Sequence, residues 1–200
     1  LYNNNYNNYF PIIHKYPSYA LMGHQEGYIY THPPYNVSSS ETFELPPFNH
    51  WYDITMVLND GNIYLYKNGV LESTINNAGY APNNDLNTLI GKATDFPGYL
   101  DGAIDNIKIW DRALSDDEIN GQPNSNNNLI AHYKFNAGSG DILFDHSGNQ
   151  NHGTINGATW EEYQGDGIIN VPEDYLTIQG AIDAANNGDA ERRGETSSVR

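Results

Sequence analysis

One segment near the middle of the chain combines a strand pattern with a helix start. Side chains alternate between two faces over residues 100–110, with Ile107 and Ile109 on the same face, as a half-buried β-strand requires. Ser115 and Glu118 then have the spacing of a capping box, in which each side chain bonds the backbone N–H of the other residue. The segment therefore predicts a strand that leads into a short capped helix and closes a domain.

Two further stretches predict a β-hairpin. Residues 50–58 (HWYDITMVL) and 63–71 (IYLYKNGVL) are rich in β-branched and aromatic side chains. A turn with Asp-Gly at 60–61 separates them, and a second turn-forming pair, Asn-Gly, stands at 68–69. Such pairs tolerate the positive φ angles of tight hairpin turns. The sequence therefore indicates antiparallel strands.

Composition excludes several classes of function. The 200-residue chain has a formal net charge of −16, which argues against nucleic acid as a partner. It has no cysteine, so disulfides, thiolate zinc sites and thiol nucleophiles are excluded. No apolar run approaches the roughly 18 residues of a membrane span, and we expect no membrane insertion.

The closing segment resembles a known family. It reads G-A-I-D-N-I-K-I at 102–109 and R-A-L-S-D-D-E-I at 112–119. These motifs resemble the laminin-G-like, concanavalin A-like lectin/glucanase jelly roll, in the branch found in secreted bacterial proteins, and the resemblance covers roughly residues 10 to 120. It implies an all-β fold, namely a two-sheet antiparallel jelly-roll sandwich.

The resemblance also divides the chain. Residues 1–120 are expected to form a jelly roll that lacks its N-terminal strands, and residues 121–128 form a linker of turn-forming residues. Residues 129–163 resemble the opening strands of the same family, and they either pack on 1–120 in permuted order or begin a second jelly roll. Residues 164–189 resemble the start of a pectin-lyase-like parallel β-helix, including a short C-terminal helix from that truncated domain. Residues 190–200 do not look like native domain sequence.

A calcium site is implied by one loop. In the resembled family, a D-x-S-G-N-x-N-x-G loop and the aspartate of the closing strand can share a calcium ion. By this resemblance, the predicted calcium ligands are Asp145 and Asp105, and Asn149 and Asn151 would add side-chain or carbonyl oxygens. The alternative is an Asx turn, in which the Asp145 carboxylate only accepts hydrogen bonds from local backbone N–H groups.

A second candidate site consists of aromatic side chains that could stack on sugar rings. Tyr28 and Tyr30 would share one face of a strand, with Tyr35 and His32 close by in the sequence. The alternative is that these tyrosines pack on a half-buried sheet face, where tyrosine is common.

Enzymatic activity is not expected. Retaining glucanases of the same superfold need two carboxylates roughly 5 Å apart. Here Lys108 follows Asp105 at the position where the second acid would be wanted. The sequence therefore predicts a non-catalytic, calcium-supported module that binds a polysaccharide or glycan, in a large secreted or cell-surface bacterial protein. The alternatives are an adhesion module that binds a cell-surface protein, and an accessory part of a polysaccharide lyase or glycoside hydrolase.

Overall fold

The structure is a computed structural model of the chain. It describes residues 9–24, 28–32, 42–44, 51–76, 78–79, 84–94, 98–100, 102–121 and 127–161. The chain divides into two compact units, Leu1–Ala158 and Thr159–Arg200. Within the second unit, the Thr159 hydroxyl donates a hydrogen bond to Glu161. All the strands described below belong to the first unit.

Twelve strands and one short helix form the regular structure of these ranges. In chain order they are β1 Tyr9–Lys15, β2 Tyr19–His24, β3 Tyr28–His32, β4 Thr42–Glu44, β5 Ile54–Asn59, β6 Asn62–Lys67, β7 Val70–Ile75, β8 Leu89–Ile90, β9 Ile107–Trp110, α1 Asp116–Asn120, β10 Leu129–Tyr133, β11 Ile142–Leu143 and β12 Gly153–Thr154. Across the described part of the chain, no helix has the length and apolar character needed to cross a lipid bilayer.

The strands pair in antiparallel fashion. Five strands form one sheet in the order β4-β3-β2-β1-β8, and β5-β6-β7 form a three-stranded meander. Two further pairs, β9 with β10 and β11 with β12, complete the pairing. The predicted all-β antiparallel fold is confirmed.

Both predicted hairpin turns are present. Between β5 and β6, Asp60 and Gly61 have φ angles of 47° and 73°. Between β6 and β7, Asn68 and Gly69 have φ angles of 49° and 78°. Two successive residues at positive φ match the right-handed twist of the flanking strands, so these local pairs determine the register of the meander.

The core lies between the two larger sheets. Leu21 comes from the five-stranded sheet, whereas Ile63, Leu65 and Ile75 come from the meander. Four partly buried side chains pack against this cluster: Ile12 of β1 and Ile54, Met56 and Leu58 of β5. Burial of one face of each sheet against the other confirms the predicted sandwich.

The predicted strand over residues 100–110 is shorter than expected. Regular pairing begins at Ile107, because Asn106 has a φ angle of 50°, which is incompatible with an extended strand. The Asp105 carboxylate accepts a hydrogen bond of 2.7 Å from the Asn106 N–H and stabilises this bend. Alternation of side chains in the sequence did not reveal it.

The helix start has the predicted capping box. The Ser115 hydroxyl accepts from the Glu118 N–H at 3.3 Å, and Glu118 accepts from the Ser115 N–H at 3.0 Å. The Arg112 guanidinium also donates two hydrogen bonds to Glu118, and these bonds with that from Ser115 lower the pKa of Glu118 to about 2. The Tyr66 hydroxyl donates to Asp116 at 2.7 Å, which ties α1 to β6.

Strand β10 lies beside the closing strand. It pairs with β9 from Leu129 opposite Trp110 to Tyr133 opposite Ile107, with a β-bulge at Ile130. This pairing is the one that packing in permuted order requires, although the choice between completion of the first jelly roll and the start of a second stays a prediction. The regions predicted as a β-helix start, with its helix, and as a non-native tail lie outside the described residues.

Candidate functional site

A polar groove lies next to the bulge in β10. It has a volume of about 560 Å³, within the range of roughly 300–1,000 Å³ typical of small-ligand sites. We call it the asparagine groove, because four asparagines line it. Its lining residues are Asp111, Asn127, Asn128, Leu129, Ile130, Ser147, Asn149 and Asn151.

The loop that forms one wall of the groove is built on Asp145. This side chain is buried, with 8% of its surface exposed. One carboxylate oxygen accepts from the N–H groups of His132 and Ser147, both at 2.8 Å. The other accepts from the Ser147 hydroxyl at 2.8 Å and from the Asn151 N–H at 2.9 Å. Four donors therefore occupy the roughly four acceptor positions of a carboxylate.

These hydrogen bonds determine the charge of Asp145. Burial by itself raises the pKa of this carboxyl, but the donors from Ser147, His132 and Asn151 lower it by more, to about 2. Asp145 is therefore ionised at neutral pH. Its charge holds residues 145–151 in place.

The bulge in β10 anchors the same loop. Ile130 has no partner residue on β9, and its carbonyl oxygen accepts from the side-chain nitrogens of Asn149 and Asn151 at 3.0 and 2.9 Å. The Ser147 hydroxyl lies 3.1 Å from the same oxygen, and the Asn149 nitrogen also reaches the Leu129 carbonyl at 2.7 Å. Among the described ranges, no hydrogen bond uses the Oδ1 atoms of the two asparagines. These oxygens remain available as acceptors for a ligand.

The opposite wall follows the closing strand. The Asp111 N–H donates to the Asn128 carbonyl at 3.0 Å, and Arg112 Nε donates to the Asn127 carbonyl at 3.3 Å. These backbone contacts hold the wall, while the side chains of Asp111, Asn127 and Asn128 make no hydrogen bond within the part of the chain that the structure describes. The composition of 121–128 predicted only a linker, and it gave no sign that the last two of these residues line a groove together with Asp111 and Ser147. The one sequence signal for them was the density of asparagine before β10.

The two aspartates predicted to share calcium have separate hydrogen-bonding roles. Asp105 is exposed and accepts from the neighbouring Asn106 N–H. Asn106 bonds His132 through its side-chain oxygen at 3.1 Å, and the His132 N–H bonds Asp145. The predicted loop and the closing strand are therefore connected through Asn106 and His132.

The protein donors around Asp145 do not fit a calcium ligand. A cation could use this carboxylate only by displacing at least one of the four hydrogen bonds. In the described ranges, no three His, Asp or Glu side chains are grouped so that they could hold a metal ion. The geometry fits the Asx turn, and calcium at Asp145, Asp105, Asn149 and Asn151 stays a prediction.

Thermal unfolding tests the metal directly. We expect the same Tm with excess calcium and with a chelator, because a calcium ion gains no free carboxylate at Asp145. A ligand that binds only the native state raises Tm by mass action. A calcium-dependent rise in Tm that disappears in Asp145→Ala would contradict the Asx turn and support the metal site.

Comparison with known proteins assigns the fold family. The family model described as the concanavalin A-like lectin/glucanases superfamily, Laminin_G_3, matches residues 14–120, more than half of the chain. The chain belongs to the concanavalin A-like lectin/glucanases superfamily. The matched range includes both hairpins and the capped helix, whereas the loop at 145–151 lies beyond it.

Two solved structures are similar to this concanavalin A-like chain. A candidate carbohydrate-binding protein from Bacteroides ovatus superposes with a TM-score of 0.56 at 16% identity, over 75% of this chain and 50% of that one. An S-layer domain-containing protein from Clostridium thermocellum has a TM-score of 0.34 at 25% identity, over 60% of this chain and 64% of that one. The chain thus spans half the length of the Bacteroides protein. A search of curated proteins finds no match.

The predicted aromatic platform lies on β3 of the concanavalin A-like sandwich. In the backbone register, Tyr28 pairs with His24, Tyr30 with Met22 and His32 with Ala20. The side chains of Tyr28, Tyr30 and His32, and all of Tyr35, lie outside the described residues. The platform stays a prediction.

Proposed function

We propose that this concanavalin A-like domain binds carbohydrate without catalysing a reaction, and that the asparagine groove is its site. The observation that carries the proposal is the chemistry of the groove lining. Sugar hydroxyls both donate and accept hydrogen bonds, as side-chain amides do. In the part of the chain that the structure describes, the side-chain amides of Asn127 and Asn128 and the Oδ1 atoms of Asn149 and Asn151 make no hydrogen bond. Analogy with the Bacteroides protein adds support at the level of fold only.

The proposal that the domain is not catalytic rests on the number of carboxylates available at the groove. Glycoside hydrolysis needs two of them, one as acid and one as base or nucleophile. The lining contains one, Asp111. Asp145 lies behind the loop and accepts hydrogen bonds from three residues, so it has no proton to donate at neutral pH and no free lone pair.

We further propose that the domain works outside the cell or at the cell surface, as a module of a larger protein. A glycan-binding module there would hold an attached domain near its polymer and raise the local concentration of substrate. The accessory role in a lyase or hydrolase is one form of this arrangement. The resemblance to the secreted bacterial branch supports the location.

Protein adhesion is the second candidate function. Ile142 lies in β11 and Phe144 follows that strand directly, and the two side chains are 49% and 47% exposed. An exposed apolar pair of this kind favours a protein contact over a sugar contact. If the partner is a protein, the polysaccharide experiment below should detect no binding.

Affinity electrophoresis tests glycan binding at the groove. Gels that contain mixed-linkage β-glucan, galactomannan or galactan should retard the protein in at least one case. Asn127→Ala removes a side chain with no hydrogen bond in the described ranges, so folding should be unaffected. We expect it to weaken binding roughly fivefold, the effect of one lost hydrogen bond.

Asn136→Ala is the matched control, because Asn136 is exposed and does not line the groove. It should bind as the wild type does. Equal binding by Asn127→Ala and Asn136→Ala would place the glycan site elsewhere, and no retardation by any of the three polymers would refute glycan binding by this domain.

A further inference from the structure

The asparagine groove contains a single ionisable side chain. Asp111 is exposed, and its carboxylate accepts no hydrogen bond from the residues that the structure describes. No lysine, arginine or histidine is among the lining residues. Asp111 is therefore the one charge in the lining, and Arg112, which its charge attracts, is not a lining residue.

The neighbouring cation, Arg112, forms its ion pair with Glu118 and is also attracted by Asp111. The two terminal nitrogens of Arg112 lie 2.8 and 2.7 Å from the Glu118 carboxylate, and its Nε donates to the Asn127 carbonyl. All three nitrogens of the guanidinium are thus in use. The charge of Arg112 is thus paired with that of Glu118, and Arg112 does not line the groove.

The loop wall of the groove offers mainly acceptors, whereas the amides of Asn127 and Asn128 on the opposite wall both donate and accept. Asn149 donates both of its amide N–H groups to β10 and Asn151 donates one, and in the described ranges the Oδ1 atoms of both make no hydrogen bond. The Ser147 hydroxyl lies within bonding distance of Asp145 and Ile130. Free acceptors suit ligands that donate, such as hydroxyl groups, and repel carboxylate or sulfate groups, which only accept.

We propose that the asparagine groove selects uncharged, hydroxyl-rich sugar units over carboxylated or sulfated ones, and that Asp111 determines this specificity. This proposal rests on glycan binding at the groove. The carboxylate accepts hydrogen bonds from sugar hydroxyls and repels anions at close range. The net charge of −16 adds a long-range repulsion that salt screens, whereas the contact with Asp111 persists at moderate ionic strength.

A matched pair of polymers tests the selection. One is whichever of mixed-linkage β-glucan, galactomannan or galactan retards the protein most, and the other is the same polymer after selective oxidation of its primary hydroxyls to carboxylates. Backbone linkage is then constant and only charge differs. At moderate salt, we expect wild type to bind the neutral polymer at least roughly tenfold more tightly, from one like-charge contact at a wet surface.

Asp111→Asn should reduce this ratio to roughly twofold, because the amide keeps an acceptor and loses the charge. Asp85→Asn is the control, because it makes the same change in net charge at an exposed residue that does not line the groove. It should keep the wild-type ratio.

The outcomes separate this proposal from the glycan-binding proposal. Equal binding of both polymers by wild type would overturn charge selection while leaving glycan binding intact. The same ratio in Asp111→Asn and Asp85→Asn would overturn the role of Asp111. If neither polymer retards the protein, glycan binding fails and the selectivity fails with it.

Discussion

Asp145→Ala should lower the free energy of unfolding by about 3 kcal/mol, because it leaves three partly buried backbone donors without their acceptor. The N–H groups of His132, Ser147 and Asn151 all bond to this carboxylate. Alanine offers no oxygen in place of the carboxylate. Since the loop forms one wall of the asparagine groove, glycan binding should weaken together with stability.

Urea unfolding measures this loss. Asp141→Ala is the matched control, because Asp141 is exposed and lies in the same hairpin region, and its effect should stay within about 0.5 kcal/mol. Asp145→Asn should fall between the two, since the amide keeps one oxygen. An Asp145→Ala protein as stable as Asp141→Ala would mean that the four hydrogen bonds contribute nothing.

The same contribution should depend on pH. The folded pKa of Asp145 is lowered to about 2, below the unfolded value of about 3.9. Its stabilisation is therefore fully present above the unfolded pKa and is lost as pH falls through the folded pKa. The difference in stability between wild type and Asp145→Ala should shrink between about pH 5 and about pH 2. A difference that stays constant over this range would contradict the lowered pKa.

Leu65→Ala should destabilise the protein by about 4 kcal/mol. Leu65 is 0% exposed and belongs to the cluster that joins the meander to Leu21 of the five-stranded sheet. Truncation removes apolar contacts and opens a cavity between sheets that cannot approach each other without moving the strands. For a unit of this size, Tm should fall by roughly 10 °C.

Leu86→Ala is the control for this change, because Leu86 is 56% exposed and should tolerate truncation within about 0.5 kcal/mol. Leu65→Met, which nearly conserves volume, should cost less than about 1.5 kcal/mol. Equal Tm values for Leu65→Ala and Leu86→Ala would show that the two sheets do not share this core.

Local signals in the sequence predicted the fold well. The turn at Asp60 and Gly61 and the box of Ser115 and Glu118 each depend on residues within four positions of one another, so their physics is visible in the sequence. The bend at Asn106 was missed. Nothing in the alternating pattern distinguishes a strand residue from an asparagine at positive φ.

The candidate site was harder to predict, because it depends on pairing between distant segments. The loop at 145–151 was recognised, but the role of Asp145 depends on the N–H of His132, thirteen residues away. Asp111 and Asn127 line the groove because β10 pairs with β9, a contact that the linker composition does not reveal. The resemblance indicated the loop, whereas the four hydrogen bonds to Asp145 are visible only in the structure.

The hydrogen bonds from asparagine side chains to the carbonyls of Leu129 and Ile130 also affect how two copies of the chain could associate. An exposed strand edge offers its backbone groups to any other chain and is a common start of aggregation. On β10, amide nitrogens of Asn149 and Asn151 already bond the carbonyls that an incoming strand would need. A second copy could therefore pair with β10 here only by displacing these side chains, so the loop that shapes the groove also protects this edge of the domain from strand addition.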